Sequence, residues 1–498
     1  MHWLIAPILL PALAGMLLLL IRRAERLSRA IGLLATLLLV PLSLLLYQQA
    51  GGGDIGVYRL GDWPAPFAIV LVLDRLSALM LVLTAVLALP ALLYAVRGGD
   101  RCGADFHALF QFQLMGLNGA FLTGDLFNLF VFFEILLVAS YGLALHGQGR
   151  QRVRAGLHYV VLNLVGSTLF LIALALIYGT TGTLNMADFA VRAAALAPPA
   201  QALLTVACLL LGVVFALKAA LFPLYFWLPA TYAGATAGVA ALFAIMTKVG
   251  IYAIARIYGL APDDLAVTAG RDALWVMALL TLPLAALGVL AARRLREQIG
   301  YLIILSVGTL AAALAWGGGA AFSAMLFYTI HTTLISAGLF LLADLIAEAR
   351  GPAADTIVVS LQPIRADVLG VLFFAGAIAV IGLPPLSGFF AKVALLQAVP
   401  SPWYWALVLV TGLLVLVALS RSGTTLIWRN ARQSEETGPP VALDRVKLLA
   451  VILLLLAGPL LAVFGGSLWE VTDAVARQWA QPSHYIDAVL GDAAGGRS

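Results

Sequence analysis

The sequence predicts an all-α polytopic membrane protein of about fourteen transmembrane helices, and three observations predict it. Of its 498 residues, 63% are hydrophobic and 11% charged, with a mean hydropathy of +1.03, against roughly 25% charged residues in soluble domains. Apolar runs of about 20 residues, the length that crosses a bilayer core, recur along nearly the whole chain. The basic residues also cluster in alternate loops between those runs, as they do in multi-pass proteins.

The predicted spans cover 3–21, 30–47, 76–96, 106–123, 125–145, 157–179, 201–228, 236–258, 273–292, 299–317, 321–345, 368–396, 403–427 and 446–468. The first has no basic segment before it and is followed at once by Arg22 and Arg23, which reads as a retained helix rather than a cleaved signal. Leu- and Ala-rich runs of this length are too long and too weakly alternating for barrel strands. A helical bundle is left, because in lipid every backbone polar group must find its partner internally.

Orientation follows from charge, since short loops rich in Lys and Arg stay cytoplasmic. The odd-numbered loops hold nineteen of the 29 basic residues, among them Arg22, Arg29, Arg97, Arg101, Arg152, Arg294, Arg296, Arg432 and Lys447. The other face holds seven, namely Arg59, Arg75, Arg192, Arg256, Arg271, Arg477 and Arg497. Both termini are therefore expected on the non-cytoplasmic side, and the net charge of +5 reflects topology rather than nucleic-acid binding. Cys102 and Cys208 lie in no paired spacing, which argues against iron–sulfur or zinc ligation by cysteine. With no phosphate-binding loop or dinucleotide fingerprint in the chain, no cofactor and no metal are expected.

The ionisable residues within spans form a short set: Glu134 in span 5, Lys218 in span 7, Lys248 in span 8, His331 in span 11 and Lys392 in span 12. A lysine at a helix centre costs about 2.5 to 3.5 kcal/mol on insertion scales, and from mid-span it escapes to the interface only with difficulty. Such residues mark ion or proton pathways by default; the bland alternative is pairing that only glues helices. For His331, flanked by Thr332 and Thr333, a hydrogen-bonded packing role stands beside the functional one. Asp74, Asp125 and Asp344 lie near span ends, where caps or interfacial contacts are expected.

Two spans carry breaks beside their lysines. Span 7 reads LKAALFPLYFWLP, where Pro223 cannot donate to the carbonyl of Ala219, the neighbour of Lys218. In span 12, IGLPPLSGFFAK, Pro384 and Pro385 free the carbonyls of Val380 and Ile381, while Gly382 and Gly388 loosen the same turn before Lys392. Irregular backbone at membrane depth is tolerated only inside protein or along a wet cavity. The broken helix is the fourth member of spans 4–8 and again of spans 9–13. Five is odd, so the second unit would lie upside down relative to the first, an inverted repeat of the transporter kind. The expected organisation is 1–105 with helices 1–3, a first repeat at 106–258, a second at 273–428, and helix 14 with a short tail at 446–498.

Taken together, FFEILL around Glu134, LKAALFPLYFWLPATY around Lys218, MTKVGIYA around Lys248, HTTLISAGLFLLAD around His331 and GLPPLSGFFAK around Lys392 resemble the antiporter-type subunits shared by Mrp cation/proton antiporters and complex I. The resemblance covers roughly residues 65 to 430. The segment PSHYIDAVLG, from Pro482 to Gly491, resembles the tail of D subunits of Mrp-type antiporters. The resemblance implies a fourteen-helix fold with both termini outside, a place in a prokaryotic cytoplasmic (inner) membrane, and partner subunits in a hetero-oligomeric complex that moves protons and Na+ or K+. By position it implies Glu134 and Lys218 as a first proton-handling pair, Lys248 and His331 as a central relay, and Lys392 as the terminal site. No lateral helix like that of the largest complex I relative and no extra spans like those of the Mrp A subunit are expected after span 14.

Desolvation disfavours the charged form of a lysine and a nearby carboxylate favours it, so Glu134 is expected to tune Lys218. Two other classes stay open: an antiporter-like proton-pumping subunit of complex I or a related membrane-bound oxidoreductase, and a scaffold with buried pairs and no transport.

Overall fold

Proline, glycine and a few capping carboxylates decide where the apolar runs stop being helix. The computed structural model describes residues 2–491 apart from positions 64, 68, 148, 261–264, 361 and 432–440. Arg432 and Arg497, counted in the charge asymmetry, and residues 492–498 of the expected last segment lie outside the described residues.

In chain order the helices are α1 (Ala6–Leu20), α2 (Glu25–Gly51), α3 (Arg75–Ala95), α4 (Phe106–Leu122), α5 (Leu126–Leu145), α6 (Arg150–Thr181), α7 (Met186–Ala194), α8 (Pro198–Ala219), α9 (Trp227–Gly234), α10 (Ala237–Phe243), α11 (Met246–Leu260), α12 (Leu265–Ala291), α13 (Leu295–Trp316), α14 (Gly319–Ala349), α15 (Ala366–Ile381), α16 (Ser387–Ala398) and α17 (Pro402–Gly423). After α17 come a π-helical stretch, Thr424–Arg429, and then α18 (Arg445–Leu455), α19 (Ala457–Val463), α20 (Gly465–Trp479) and α21 (Pro482–Leu490). Twelve helices among the described residues are long and apolar enough to cross a membrane. The other two expected spans are present in shorter form: 106–123 is the 17-residue α4, and 368–396 is split into α15 and α16.

Among the described residues the only paired strands are those of a short antiparallel hairpin between α2 and α3, β1 (Gly56–Arg59) paired with β2 (Val70–Leu73). Another difference lies in span 8, expected as one helix over 236–258. It tightens between α10 and α11, where Ala244 N–H and Ile245 N–H donate three residues back, to the carbonyls of Ala241 and Leu242. Asp74 and Asp125 cap helices as expected. Ser77 N–H donates to Asp74 Oδ1 at 2.8 Å, the Ser77 hydroxyl accepts from Asp74 N–H at 2.9 Å, and Asn128 N–H donates to Asp125 Oδ1 at 2.8 Å. Asp344, inside α14, instead pairs with Arg296 and accepts from the Tyr94 hydroxyl at 2.8 Å.

α14 is the axis of the bundle: it packs against α3, α10, α13, α15, α16, α18 and α20. From Ala237 to Ile257 every residue is buried, whereas only about a third of the apolar window is buried in α2 and in residues 402–429, which turn their other faces outward. Charged side chains from the odd-numbered loops pair with one another. Arg29 meets Asp100, Arg97 meets Asp444 and Lys447 meets Glu348. At the opposite face Arg75 donates to Gly51 O and Arg59 to Val489 O. Arg256 departs from its reading as a loop residue: it lies inside α11, buried and paired with Asp74.

Asp100 is the centre of the first cluster, accepting from Arg29 Nε at 2.5 Å and Nη2 at 2.8 Å, with His107 Nε2 at 3.2 Å. Burial pushes its carboxyl up, but His107 and Arg29 outweigh burial and hold it at about 2. A carboxyl lowered by folding stabilises above its unfolded value of about 3.9, and that contribution disappears as pH falls through the folded value. Asp100→Asn should therefore lower the thermal midpoint of the detergent-solubilised protein at neutral pH, by the equivalent of about 1 kcal/mol. The gap from wild type should close between pH 4 and 2. A gap that persists unchanged at pH 2 would mean that the charge is not what holds this junction.

Candidate functional site

Lys218, Lys248 and Lys392 each stand at or beside an irregularity of the backbone, and each bonds a neutral oxygen. α8 ends at Ala219, with Ala220 in the left-handed conformation (φ 61, ψ 47) and Leu221 N–H closing on Ala216 O at 3.0 Å. Pro223 falls in the following non-helical stretch, where its missing N–H does no harm. Trp227, opening α9, reaches back to donate Nε1–H to Leu217 O at 3.2 Å and stacks on Tyr159. Lys218, one residue before the end of α8, is buried and donates to Asn163 Oδ1 at 3.3 Å.

Glu134 and Lys218 make no direct ion pair. Between them stands α6. Ser167 donates its hydroxyl to Glu134 Oε1, and Asn163, four residues earlier, receives Lys218. Residues four apart lie on one helical face, so Tyr159, Asn163 and Ser167 form a polar stripe in an otherwise apolar span. Tyr159 continues it with a 2.7 Å bond to the Ser140 hydroxyl on α5. Gly166 lets α8 approach closely, because a Cβ there would lie 3.8 Å from Lys218 Nζ and would strike Leu217. Glu134 itself is only half-buried. It lines a cleft of about 390 Å³ with Leu109, Phe112, Phe130, Val131, Ile135, Val138 and Ala139, so it sits at the rim of the bundle rather than in its core.

Lys248, in the first turn of α11, is fully buried and donates to the Ser306 hydroxyl of α13 at 3.4 Å, while that hydroxyl donates to Ile303 O at 2.7 Å. His331, in mid-α14, shares a 2.8 Å bond between Nδ1 and Ser387 Oγ at the start of α16. Lys392 donates to Val380 O at 3.3 Å and Ile381 O at 2.7 Å. These are the two carbonyls that Pro384 and Pro385 leave without helical donors. Gly382 (φ 83) ends α15 in the left-handed conformation and packs on the Lys392 stem. Gly388 lets α16 lie directly on the Ala379 carbonyl, with His331 Nε2 3.0 Å from where a Cβ would stand.

Sequence reasoning found the five ionisable residues and missed the four that hold them: Asn163, Ser167, Ser306 and Ser387. Three carried a usable signal. Asn163 and Ser167 repeat at helical spacing within an apolar run, and Ser387 follows the double proline directly. Ser306, a lone hydroxyl in α13, carried none.

A family model described as NADH:quinone oxidoreductase/Mrp antiporter, TM matches residues 123–418, a range that contains all five. The chain is 42% identical to the D subunit of a probable K(+)/H(+) antiporter of Rhizobium meliloti (strain 1021), over 98% of this chain and 97% of that protein. It is 36% identical to the D subunit of the Na(+)/H(+) antiporter of Bacillus subtilis (strain 168), over 98% and 99%. A chain in the structure of the Mrp complex from Dietzia sp. DQ12-45-1b superposes with a TM-score of 0.88 at 28% identity, covering 98% of this chain and 99% of that one.

The close seat of α16 predicts a contrast between two glycines. Gly388→Ala forces a methyl into the Ala379 carbonyl and should cost about 1 to 3 kcal/mol, as overpacking does, lowering the thermal midpoint. Gly412→Ala in α17 meets nothing within 4 Å and should be neutral or stabilising by up to about 1 kcal/mol. Equal midpoints for the two variants would contradict the tight seat at the second break.

Proposed function

We propose, for a chain that belongs to the NADH:quinone oxidoreductase/Mrp antiporter membrane family, that it is the proton-translocating D-type subunit of a multisubunit monovalent cation/proton antiporter. The observation that carries this reading is the bonding of Lys218, Lys248 and Lys392 to an amide, a hydroxyl and two carbonyls. A lysine locked to a carboxylate is held in its charged form. One that donates to a neutral oxygen in a dry interior is balanced between holding and releasing its proton, because desolvation opposes the charge and only modest bonds favour it. The names of the R. meliloti and B. subtilis relatives support cation/proton exchange as the reaction, and the Mrp complex match supports partner subunits.

In this account Glu134 and Lys218, joined through Ser167 and Asn163, form the first proton-handling pair. Lys248 with His331 is the central relay, and Lys392 at the second break is the terminal site. Spans 4–8 (106–258) and 9–13 (273–428) act as two oppositely oriented five-helix units. A proton moved across the membrane carries about 2.3 kcal/mol per 100 mV, so one or two per cycle suffice to drive a cation uphill. The protein sits in a bacterial inner membrane with both termini on the non-cytoplasmic face, a topology supported by the nineteen-to-seven split of basic residues. The family description, which also covers NADH:quinone oxidoreductase, keeps a redox-driven assembly as the second reading; quinone or iron–sulfur subunits in the purified complex would select it.

Glu134→Gln keeps shape and removes charge. In everted vesicles containing the whole complex it should assemble, by blot, yet lose most cation-driven dissipation of the pH gradient, with Glu134→Asp retaining part. Lys218→Ala should match it, and the double variant should add little, since residues acting as a unit are non-additive. Ser167→Ala, which strips a bond to a charged group worth about 1.5 to 3 kcal/mol, should slow exchange roughly tenfold, and Ser167→Thr should restore it. Wild-type exchange in assembled Glu134→Gln across pH 7 to 9 would show the carboxylate to be structural only.

A further inference from the structure

The segment Pro482–Gly491 and the buried Arg256 are left unused by the proton path, and the structure puts them together. Arg256 lies eight residues beyond Lys248 on α11, with Tyr252 midway. Steps of four keep the three on nearly one helical face, about 12 Å from first to last. The Arg256 guanidinium forks onto Asp74, with Nη2 2.9 Å from Oδ1 and Nη1 bonded to Oδ2. It also donates to the Tyr252 hydroxyl at 2.8 Å, and that hydroxyl donates to Phe121 O at 2.6 Å. The guanidinium carbon stands 5.2 Å from the Tyr252 ring and 5.3 Å from the Tyr485 ring, so two aromatic faces hold it. Tyr252 belongs to α11 itself. Tyr485 comes from α21, outside the spans.

The attachment of that end of the chain is specific. Trp479 donates Nε1–H to Ala255 O at 2.9 Å and stacks on Phe322 at 4.1 Å. Gln478 accepts from Arg75 N–H at 2.9 Å and donates to Gly53 O at 3.1 Å, and Arg59 donates to Val489 O at 2.9 Å. Beneath this roof lies a cavity of about 20 Å³, floored by Asp74 and Arg256 and closed by Gln478, Trp479, Pro482 and Tyr485. That is room for about one water.

A group passes protons only if it can both take and give one. Arg256 cannot give its proton up. Asp74 has both oxygens engaged, by Arg256 and by Ser77 N–H. Burial pushes its carboxyl up, but Arg256 and Ser77 outweigh burial and hold it below the ordinary range. We infer that α21, seated by Tyr485 on the buried Arg256–Asp74 pair, is a seal that insulates Lys248 from the aqueous face carrying Arg59. The inference rests on the reading of Lys248 as a proton carrier.

The test measures two quantities in everted vesicles containing the whole complex: decay of a pH gradient with no Na+ or K+ present, and dissipation when either is added. Absence of cation-driven exchange in wild type would sink the proposed function and leave the seal without a purpose. Given exchange, Tyr485→Phe, which keeps the ring on the guanidinium, should leak no more than wild type. Tyr485→Ala should raise the cation-independent leak at least about threefold at equal assembly. If Ala assembles poorly, Tyr485→Leu, which fills the space without an aromatic face, is read instead and should also leak. An assembled Ala variant as tight as wild type, or an assembled Leu variant as tight where Ala is lost, would overturn the seal. So would a Phe variant as leaky as Ala, or loss of assembly in both Ala and Leu, which would make α21 an assembly element.

Discussion

An ammonium group inside a bilayer must be solvated by oxygen, and the way this bundle supplies that oxygen decides much of the remaining architecture. Regular helices offer little oxygen to an ammonium, because each carbonyl already accepts from its own helix's N–H and faces along the axis. The chain obtains it by interrupting helices and by setting small polar side chains on neighbouring ones. Lys392 takes the interrupted-helix route entirely, on Val380 and Ile381. Lys218 and Lys248 take the side-chain route, on Asn163 and Ser306. The same requirement explains why the breaks lie deep in the bundle, where the irregular backbone is surrounded by protein.

The choice of neutral oxygen over carboxylate is what distinguishes the lysines from Arg256. Arg256 also lies inside a helix and is buried, yet it is forked onto Asp74 and held by two tyrosine rings. Removing one partner of such a pair leaves an uncompensated charge, at about 3 to 5 kcal/mol, so the pair is a fixture. The lysine contacts are all to neutral oxygens, one each for Lys218 and Lys248 and two for Lys392. One helix, α11, therefore carries a lysine bonded to a neutral hydroxyl in its first turn and an ion-paired arginine near its end. α14 links the breaks to this column, since it packs against α10, α13, α15 and α16 and carries His331 to Ser387.

Much of this was legible in the sequence, for identifiable reasons. Hydrophobic length and the alternation of basic loops are summed over many residues, so the spans emerged close to their final positions. The carbonyls that solvate Lys392 were legible because proline removes a donor at a fixed offset. What was hidden depends on contacts distant in sequence. Nothing around Ser306 announces a lysine 58 residues earlier, and Asp74 looks like a helix cap, which it is, while also receiving Arg256 from 182 residues away. The route from Glu134 to Lys218 was hidden too, since it runs through Ser167 and Asn163 on α6, between the two. The hairpin of β1 and β2 escaped notice because its residues are few and lie between spans.

The central claim is that these lysines work by giving up their protons and not by being charged. Lys248→Arg tests it most directly, since arginine keeps the charge and much of the reach but stays protonated at any physiological pH. In everted vesicles with the variant complex assembled at wild-type level, cation-driven dissipation of the pH gradient should fall to the level of Lys248→Ala. Exchange retained by the arginine variant and lost only by alanine would contradict the account, because a permanent positive charge would then be all that the position requires.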